Sequence, residues 1–438
     1  MVWGYADWWP WWWAGFGLIV LVLALYTIIP DLFLHRLGVG SWKRQYTAGV
    51  ALTFDDGPDP EYTPQVLAAL RRHNVKATFF VVGAKVARYP ELIRTIRAEG
   101  HTLGVHSQRH RYAWFQSPLT TWREWERCAA VVEGITGDQV AWMRPPWGTF
   151  NLVTWWWLVR RRKRAVLWNV EAHDWQLRRQ PAEIAARIAG KVREGSIILL
   201  HDSGGETGAP INTVTAIDLL CQGIRVERKI PILPLAFNNW SCGRRLSFGI
   251  WQRWENFYAR RYKVTRIDDH NILRLAKSVY HGPELYDENG RLLARRGDMV
   301  GEIHIDSIRM PAGSTDNYRI GVQAMRLAKE SFPDLAAYIE KDPEFRDIRV
   351  FLGLSLLHRA VKRFGFNVRE IEQGWFGRWV GFLQKTAMRM YHPAGRARVQ
   401  EGGTRLGTLP KLVWISRERL LEMWRSPKSE VRSPKSEV

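Results

Sequence analysis

The stretch Val50–Pro60, VALTFDDGPDP, runs from apolar residues into two adjacent aspartates and then into a chain of turn formers. Neighbouring carboxylates repel, and each resists dehydration. A pair kept at the end of a buried segment therefore needs a counter-charge. Outward from this stretch, short apolar runs alternate with segments of helical spacing. GVALTF, KATFFVVG, HTLGVHS, AWMRPP, RAVLWNVE, SIILLHD and KIPILPLAF read as seven strands. PDPEYTPQVLAALRRH, YPELIRTIRAEG, SPLTTWREWERCAAVVEGITG and QPAEIAARIAGKVREG carry helix-start signals and amphipathic spacing. This βα alternation, from about Gly49 to Phe237, predicts an α/β fold with a parallel barrel or a doubly wound sheet.

The polar residues fall at strand ends. Asp55 and Asp56 close the first strand, His106 and His110 follow the third, Arg144 ends the fourth, Asp174 trails the fifth and His201 ends the sixth. In a parallel α/β fold the carboxyl ends of all strands open on one face, where active sites are built. Alone, DDGP is a turn tetrapeptide and a His-x-x-x-His pair is commonly a surface feature. Together, two imidazoles and one carboxylate make a three-ligand site for a divalent cation, with a position left open for water. Neighbours on a strand point to opposite sides, so Asp55 and Asp56 are expected to divide the work, one facing the cation and the other the water. Arg144 is the expected counter-charge.

Taken in order, TFDDGPDP, HSQRH, RPPWG, HDW and LLHD resemble the five motifs of the polysaccharide deacetylases, the NodB-homology domain of carbohydrate esterase family 4. The resemblance covers residues 48–237 and implies a distorted (β/α)7 barrel. It also implies that Asp55 is the general base, that Asp56, His106 and His110 hold a divalent metal, zinc or else cobalt, and that Arg144 holds the base carboxylate. The backbone N–H of Trp147 falls where the family stabilises the oxyanion. His201 corresponds to the general acid, oriented by Asp174. Leu199 and Trp175 are expected to line the acetyl pocket. Trp147 and Trp175 either stack on sugar rings or pack as ordinary core residues.

Some positions depart from the family pattern. Val105 replaces the usual asparagine before the first metal histidine, Trp147 the usual tyrosine, and Arg111 the usual proline. Glu171 stands where aspartate is frequent. His101 and His173 are read as structural.

The chain of 438 residues is long enough for two folded units, and its formal charge of +21 points to a polyanionic neighbour. No zinc-finger spacing, RNP-like segment or helix-turn-helix pattern is present, so nucleic acid is not an expected partner. Cys128, Cys221 and Cys242 are widely spaced and suggest no disulfide framework. The run Arg160–Arg164, RRRKR, reads first as a solvated face.

The N-terminus carries no charge between Asp7 and Asp31, a stretch of 23 residues. As a helix it would span roughly 34 Å, enough to cross a bilayer. Trp8, Trp9, Trp11, Trp12 and Trp13 would form an interfacial belt. A basic leader and a cleavage site are both missing, so residues 1–35 read as an uncleaved single-pass anchor rather than a signal peptide. Arg36, Lys43 and Arg44 follow the span and argue for a cytoplasmic body, whereas a wall-type substrate argues for an extracytoplasmic one; the latter is the expectation.

Beyond the first unit, residues 238–265 read as a basic linker and residues 266–424 as a second, α+β domain. Within it GDMVGEIHID reads as strand, while DNYRIGVQAMRLAKESFPDLAAYIE and RVFLGLSLLHRAVKRFG read as long helices. This unit resembles an accessory domain of unknown function that trails the catalytic domain in some Firmicutes deacetylases. Residues 425–438 repeat RSPKSEV and read as disordered.

The expected activity is metal-dependent removal of acetyl groups from an N-acetylglucosamine-containing polymer or lipid-linked glycan at a membrane. One alternative keeps the fold and hydrolyses a small cyclic amide or imide. The other is a non-catalytic, membrane-tethered glycan-binding protein.

Overall fold

The computed structural model describes residues 9–38, 40–236, 242–309, 317–355, 361–370 and 411–425. The repeated tail therefore lies outside the described residues. The chain divides into two compact units, Met1–Asn238 and Asn239–Val438.

In the first unit eight strands form one parallel sheet: β1 (Ser41–Trp42), β2 (Ala51–Asp55), β3 (Thr78–Val81), β4 (Thr102–Val105), β5 (Trp142–Met143), β6 (Arg164–Val166), β7 (Val170–Glu171) and β8 (Ile197–His201). Their order is β1-β6-β5-β4-β3-β2-β8-β7. The edges are β1 and β7, and β6, the neighbour of β1, is separated from β7 along the chain only by Leu167–Asn169. The Leu167 N–H donates to Trp42 O (2.8 Å) and the Asn169 N–H to Ile197 O (3.2 Å). One kinked segment thus reaches both sides of the opening, and the sheet curls into a distorted barrel.

This changes the strand list in three places. RAVLWNVE supplies two strands rather than one. Ser41–Trp42 adds a strand that the sequence pattern did not suggest. KIPILPLAF contributes only a single bridge, Val50 to Ile232, because Pro231 and Pro234 cannot donate to a ladder.

Strand alternation sorts the interior. Leu52, Phe54, Phe79, Ile198 and Leu200 belong to the large core between sheet and helices. Ala51, Phe80, Val166, Ile197 and Leu235 form a smaller apolar cluster. The parity that buries Ala51 in the smaller cluster carries Thr53 and Asp55 on the same side of β2. An N-terminal helix α1 (Trp9–Leu23) precedes the barrel, and the helices around it include α2 (Tyr62–Arg72), α3 (Gly83–Arg88), α4 (Pro90–Ala98), α5 (Pro118–Thr136), α6 (Leu152–Arg160), α7 (Pro181–Lys191) and α8 (Pro210–Cys221). Ser117 caps α5 and Asn151 caps α6 through their side-chain oxygens.

The second unit begins with α9 (Cys242–Arg261), within the segment read as a linker. Its mixed sheet contains β9 (Thr265–Arg266), β10 (Leu273–Val279), β13 (Met299–Ile305), β14 (Val350–Ser355), β15 (Asn367–Arg369) and β16 (Lys411–Ser416), ordered β15-β16-β14-β13-β10-β9. The helices α10 (Asn317–Lys341) and α11 (Arg417–Trp424) pack on it, and β11 (Leu285–Tyr286) pairs with β12 (Leu292–Ala294). Val350–Ser355 was expected to be helical. It is a strand held by β13 on one side and β16 on the other, since a short apolar run buried on both faces has no period that distinguishes the two states. Asp306 is buried and meets Arg266 (3.0 Å), Arg274 and Arg309 (3.5 Å), a structural ion cluster.

Candidate active site

The inward face of β2 ends at Asp55, which is the Cα partner of Phe80 on β3 and of His201 on β8. Arg144 follows β5 and is fully buried. Its Nη1 donates to Asp55 Oδ1 (2.6 Å) and to Thr53 Oγ1 (2.8 Å), and its Nε to Val166 O (3.1 Å). The guanidinium lies 4.2 Å from the Phe80 ring centroid. A charge buried this deeply persists because its donors are satisfied and its counter-charge is adjacent. Asp55 Oδ1 is thereby occupied, and Oδ2 lies 3.7 Å from His106 Nε2.

Asp56 does not follow the alternation expected of it. It lies one residue beyond β2 and takes a left-handed conformation, with φ of 72°. That turn, rather than the pleat, brings its Oδ1 within 3.3 Å of His106 Nε2 and 3.0 Å of His110 Nε2. His110 is also left-handed (φ 52°), and its N–H donates to Ser107 Oγ (3.0 Å). His106 Nδ1 donates to the Arg144 carbonyl at 2.6 Å. Since a carbonyl only accepts, the neutral ring presents a lone pair at Nε2, the form that ligates metal.

One ligand atom from each of Asp56, His106 and His110 lies within 4.8 Å of the others. Asp56 Oδ1 is buried and has no hydrogen-bond donor among the described residues. Burial would raise the Asp56 carboxyl, but the imidazoles of His106 and His110, with the charge of His201, hold it well below the usual carboxylate range. A buried acceptor facing two imidazole nitrogens fits a divalent cation, and two nitrogens with one oxygen suit zinc.

His201 ends β8. Its Nδ1 donates to Asp174 Oδ1 (2.9 Å), its backbone N–H donates to Asp174 Oδ2 (2.7 Å), and Thr213 Oγ1 donates to the same oxygen (2.8 Å). Burial alone would lower the His201 pKa; the charge and hydrogen bond of Asp174, together with Asp56 and Asp55, push it up to about 9.

Both tryptophans of the rim adjoin a histidine of this cluster. Trp147, left-handed (φ 53°) and 54% exposed, has its ring 4.4 Å from that of His110. Trp175 is half-buried and meets the His201 ring edge-on at 5.3 Å. Leu199 is buried two residues below His201, in register with Thr53.

Residues 44–162 match the sequence profile described as polysaccharide deacetylase, and residues 244–424 match that of the YkoP domain. A peptidoglycan-N-acetylglucosamine deacetylase of Bacillus cereus is 33% identical over 182 residues, 40% of this chain and 84% of that protein. A chitooligosaccharide deacetylase of Bradyrhizobium is 36% identical over 157 residues, 36% of this chain and 71% of that one. The chain belongs to the polysaccharide deacetylase family. The peptidoglycan-N-acetylglucosamine deacetylase PgdA of Listeria monocytogenes is 37% identical over 181 residues; the match covers 41% of this chain and 38% of the Listeria protein's length. Among solved structures, a peptidoglycan N-acetylglucosamine deacetylase superposes with a TM-score of 0.42 at 29% identity, over 44% of this chain and 90% of that one.

Around the deacetylase-family site are residues that sequence reasoning missed. Lys85 Nζ donates to Asp56 O (2.8 Å) and Ser203 Oγ (2.7 Å), which holds the left-handed turn. Asp202 is buried and accepts from Thr63 Oγ1. Burial raises its pKa to about 7, against that bond and the charge of Lys85. At Gly57 a Cβ would collide with the Asp202 carboxylate, and at Gly204 it would lie 2.6 Å from Asp56 Oδ2. Asp202 lies within LLHD and Gly57 within TFDDGPDP, but neither motif showed their contact.

The remaining polar residues have structural partners. Glu171 Oε2 accepts from Trp168 Nε1 (2.9 Å), and His173 meets Trp175 edge-on at 4.8 Å. His101 Nδ1 accepts from the Ala77 N–H (3.0 Å), and burial lowers its pKa to about 4. In the RRRKR run, Arg161 pairs with Glu126 and Lys163 with Glu133.

Proposed function

We propose that this chain is a membrane-anchored N-deacetylase that hydrolyses acetamido groups on N-acetylhexosamine residues of a cell-wall-type polysaccharide, using a divalent cation held by Asp56, His106 and His110. The observation that carries the reading is that Asp55 and His201, in register on adjacent strands, adjoin this ligand cluster. Relatives named as peptidoglycan and chitooligosaccharide deacetylases support the substrate class.

When bound, the cation supplies Lewis-acid activation of the attacking water and of the amide carbonyl. Asp55, oriented by Arg144, takes the proton of the attacking water through the carboxylate oxygen that Arg144 leaves open. His201, held charged by Asp174, gives its proton to the departing nitrogen. An amide needs both, since it is a weak electrophile with a poor leaving group. Leu199 closes the floor where an acetyl methyl would sit, and Trp147 and Trp175 offer faces to sugar rings.

The helix Trp12–Arg36, with mean hydropathy 2.3, is long and apolar enough to cross a membrane. Its C-terminal turns are built into the first unit: Leu34 joins the main core and Asp31 Oδ1 accepts from the Phe150 N–H (2.9 Å). This favours a retained anchor over a removed leader. The catalytic unit is proposed to face outward, which C-terminal reporter fusions test.

The decisive assay is acetate release from N-acetylglucosamine oligomers with added zinc or cobalt, comparing the parent with Asp55→Asn and His201→Ala. Equal activity in all three refutes the assignment.

A further inference from the structure

From Trp12 to Leu23 every residue of the N-terminal helix is exposed. The first hydrogen bonds to the barrel come at Tyr26, whose Oη donates to Gln116 O (2.9 Å) and accepts from Asn151 Nδ2 (3.2 Å). Asp31 and Leu34 follow with the contacts already given. The part that precedes these contacts, α1, has 15 residues and rises about 22 Å, short of a hydrocarbon core of about 30 Å. A helix that spans must therefore bury its docked turns in the bilayer as well.

The outer face of those turns is suited to this. Leu25, just before the first contact with the barrel, and Ile28, Leu32 and Phe33 beyond it remain exposed. Phe115 is 86% exposed, and Leu119, Leu152 and Trp155 are exposed as well. They flank the anchoring groups in sequence: Phe115 precedes Gln116, and Leu152 follows Asn151. Arg111 and Arg123, on neighbouring elements, are exposed and long enough to reach phosphate headgroups. A ladder of rings links this surface to the active site. His110 to Trp147 is 4.4 Å, Trp147 to Tyr112 is 5.5 Å, and Tyr112 to Phe115 is 5.4 Å.

We propose that the surface formed by Phe115, Leu119, Leu152 and Trp155 is seated in the headgroup and acyl boundary of the bilayer that holds the helix, so that the site opens beside the lipid headgroups and takes N-acetylhexosamine chains presented there, lipid-carried ones foremost. This rests on the reading of Trp12–Arg36 as a membrane span. The helix rises too little before its first barrel contacts to hold the barrel away from the membrane, and its segment Ala24–Ile28 packs against Ala113–Phe115 and Leu152–Arg160, which carry Phe115, Leu152 and Trp155. Soluble partners would not require that continuity; a lipid boundary does.

The test uses the full chain in vesicles of phosphatidylethanolamine and phosphatidylglycerol, with Cys242→Ser and a single fluorophore-labelled cysteine. Cys128 and Cys221 are buried. Phe115→Cys and Leu119→Cys probe the surface, and Arg94→Cys on α4 is the control. Spin-labelled lipid is expected to quench the first two at least three-fold more than the control. Equal quenching in a chain that stays in the vesicle pellet after alkaline carbonate washing overturns the proposal while leaving the anchor intact. Protection of both labels from lipid quencher and from aqueous iodide also overturns it, in favour of a protein cover. Release of the chain by carbonate overturns the span and the seat together. For the substrate, Phe115→Ser is expected to lower acetate release from vesicle-borne, lipid-linked N-acetylglucosamine about ten-fold and to leave soluble oligomers unaffected. An equal effect on both refutes the substrate assignment.

Discussion

Asp55 on β2 and His201 on β8 are Cα partners on hydrogen-bonded parallel strands, which fixes the proposed base and the proposed acid at the same height in the barrel. Their partners keep them distinct: Asp55 is held by the Arg144 guanidinium and His201 by the Asp174 carboxylate. A carboxylate paired with a guanidinium and a histidine paired with a carboxylate suit the opposite tasks proposed for them.

Asp55→Asn keeps the volume and the oxygen that Arg144 grips, and removes only the ability to accept a proton. Turnover should fall about 10²–10⁴-fold, while zinc binding by calorimetry and the circular dichroism spectrum stay as in the parent. A variant with near-parental turnover removes Asp55 from the chemistry.

The pH dependence follows from His201. With its folded pKa raised to about 9, it stays protonated through neutrality, and kcat/KM should decline on the alkaline side near that value. Asp174→Asn removes the leading contribution that raises it, so the limb should move to lower pH. Stability follows the same sign: a raised histidine pKa stabilises fully below the unfolded value of about 6.5, and that contribution is lost as pH rises through about 9. Denaturant midpoints from pH 6 to 10 should fall across this window in the parent and change less in Asp174→Asn.

Arg144→Met tests the buried pair. Asp55, 3% exposed, would lose the guanidinium that pairs with it. Removing one member of a buried pair typically costs about 3–5 kcal/mol. Urea unfolding of the two proteins measures this, and a loss under about 1 kcal/mol would mean that Asp55 finds another partner or takes up a proton.

Much of this site was legible because parallel α/β folds collect strand ends on one rim, so that Asp55, His106, Arg144, Asp174 and His201 could be gathered from positions scattered along the chain. The support around them was not. Lys85 reaches Asp56 from a helix, and Thr63 reaches Asp202 from the first turn of α2; neither contact can be read from spacing along the chain. The aim of Asp56 was missed for a related reason, since strand alternation describes a residue inside a strand and Asp56 has already left it. Val350–Ser355 failed differently: burial on both faces erased the period that separates strand from helix. Pro231 and Pro234, by contrast, were visible and should have removed KIPILPLAF from the strands.

Gly204 links this hidden support to cation binding. Its φ of 76° is in the left-handed region, and a Cβ there would lie 2.6 Å from Asp56 Oδ2. Gly204→Ala must therefore strain the loop, displace the Asp56 carboxylate, or both. A displaced ligand should weaken zinc binding about 10–100-fold, the range seen when groups that orient metal ligands are disturbed. Gly134→Ala is the matched control: it lies in α5, and an added Cβ meets nothing within 4 Å. That substitution should leave zinc affinity unchanged and stabilise the fold by about 0.5–1 kcal/mol. Calorimetric titration of both variants separates the cases. If Gly204→Ala binds zinc as tightly as Gly134→Ala, then Asp56 is not held against the loop in the form that binds metal, and the ligand set must be sought without it.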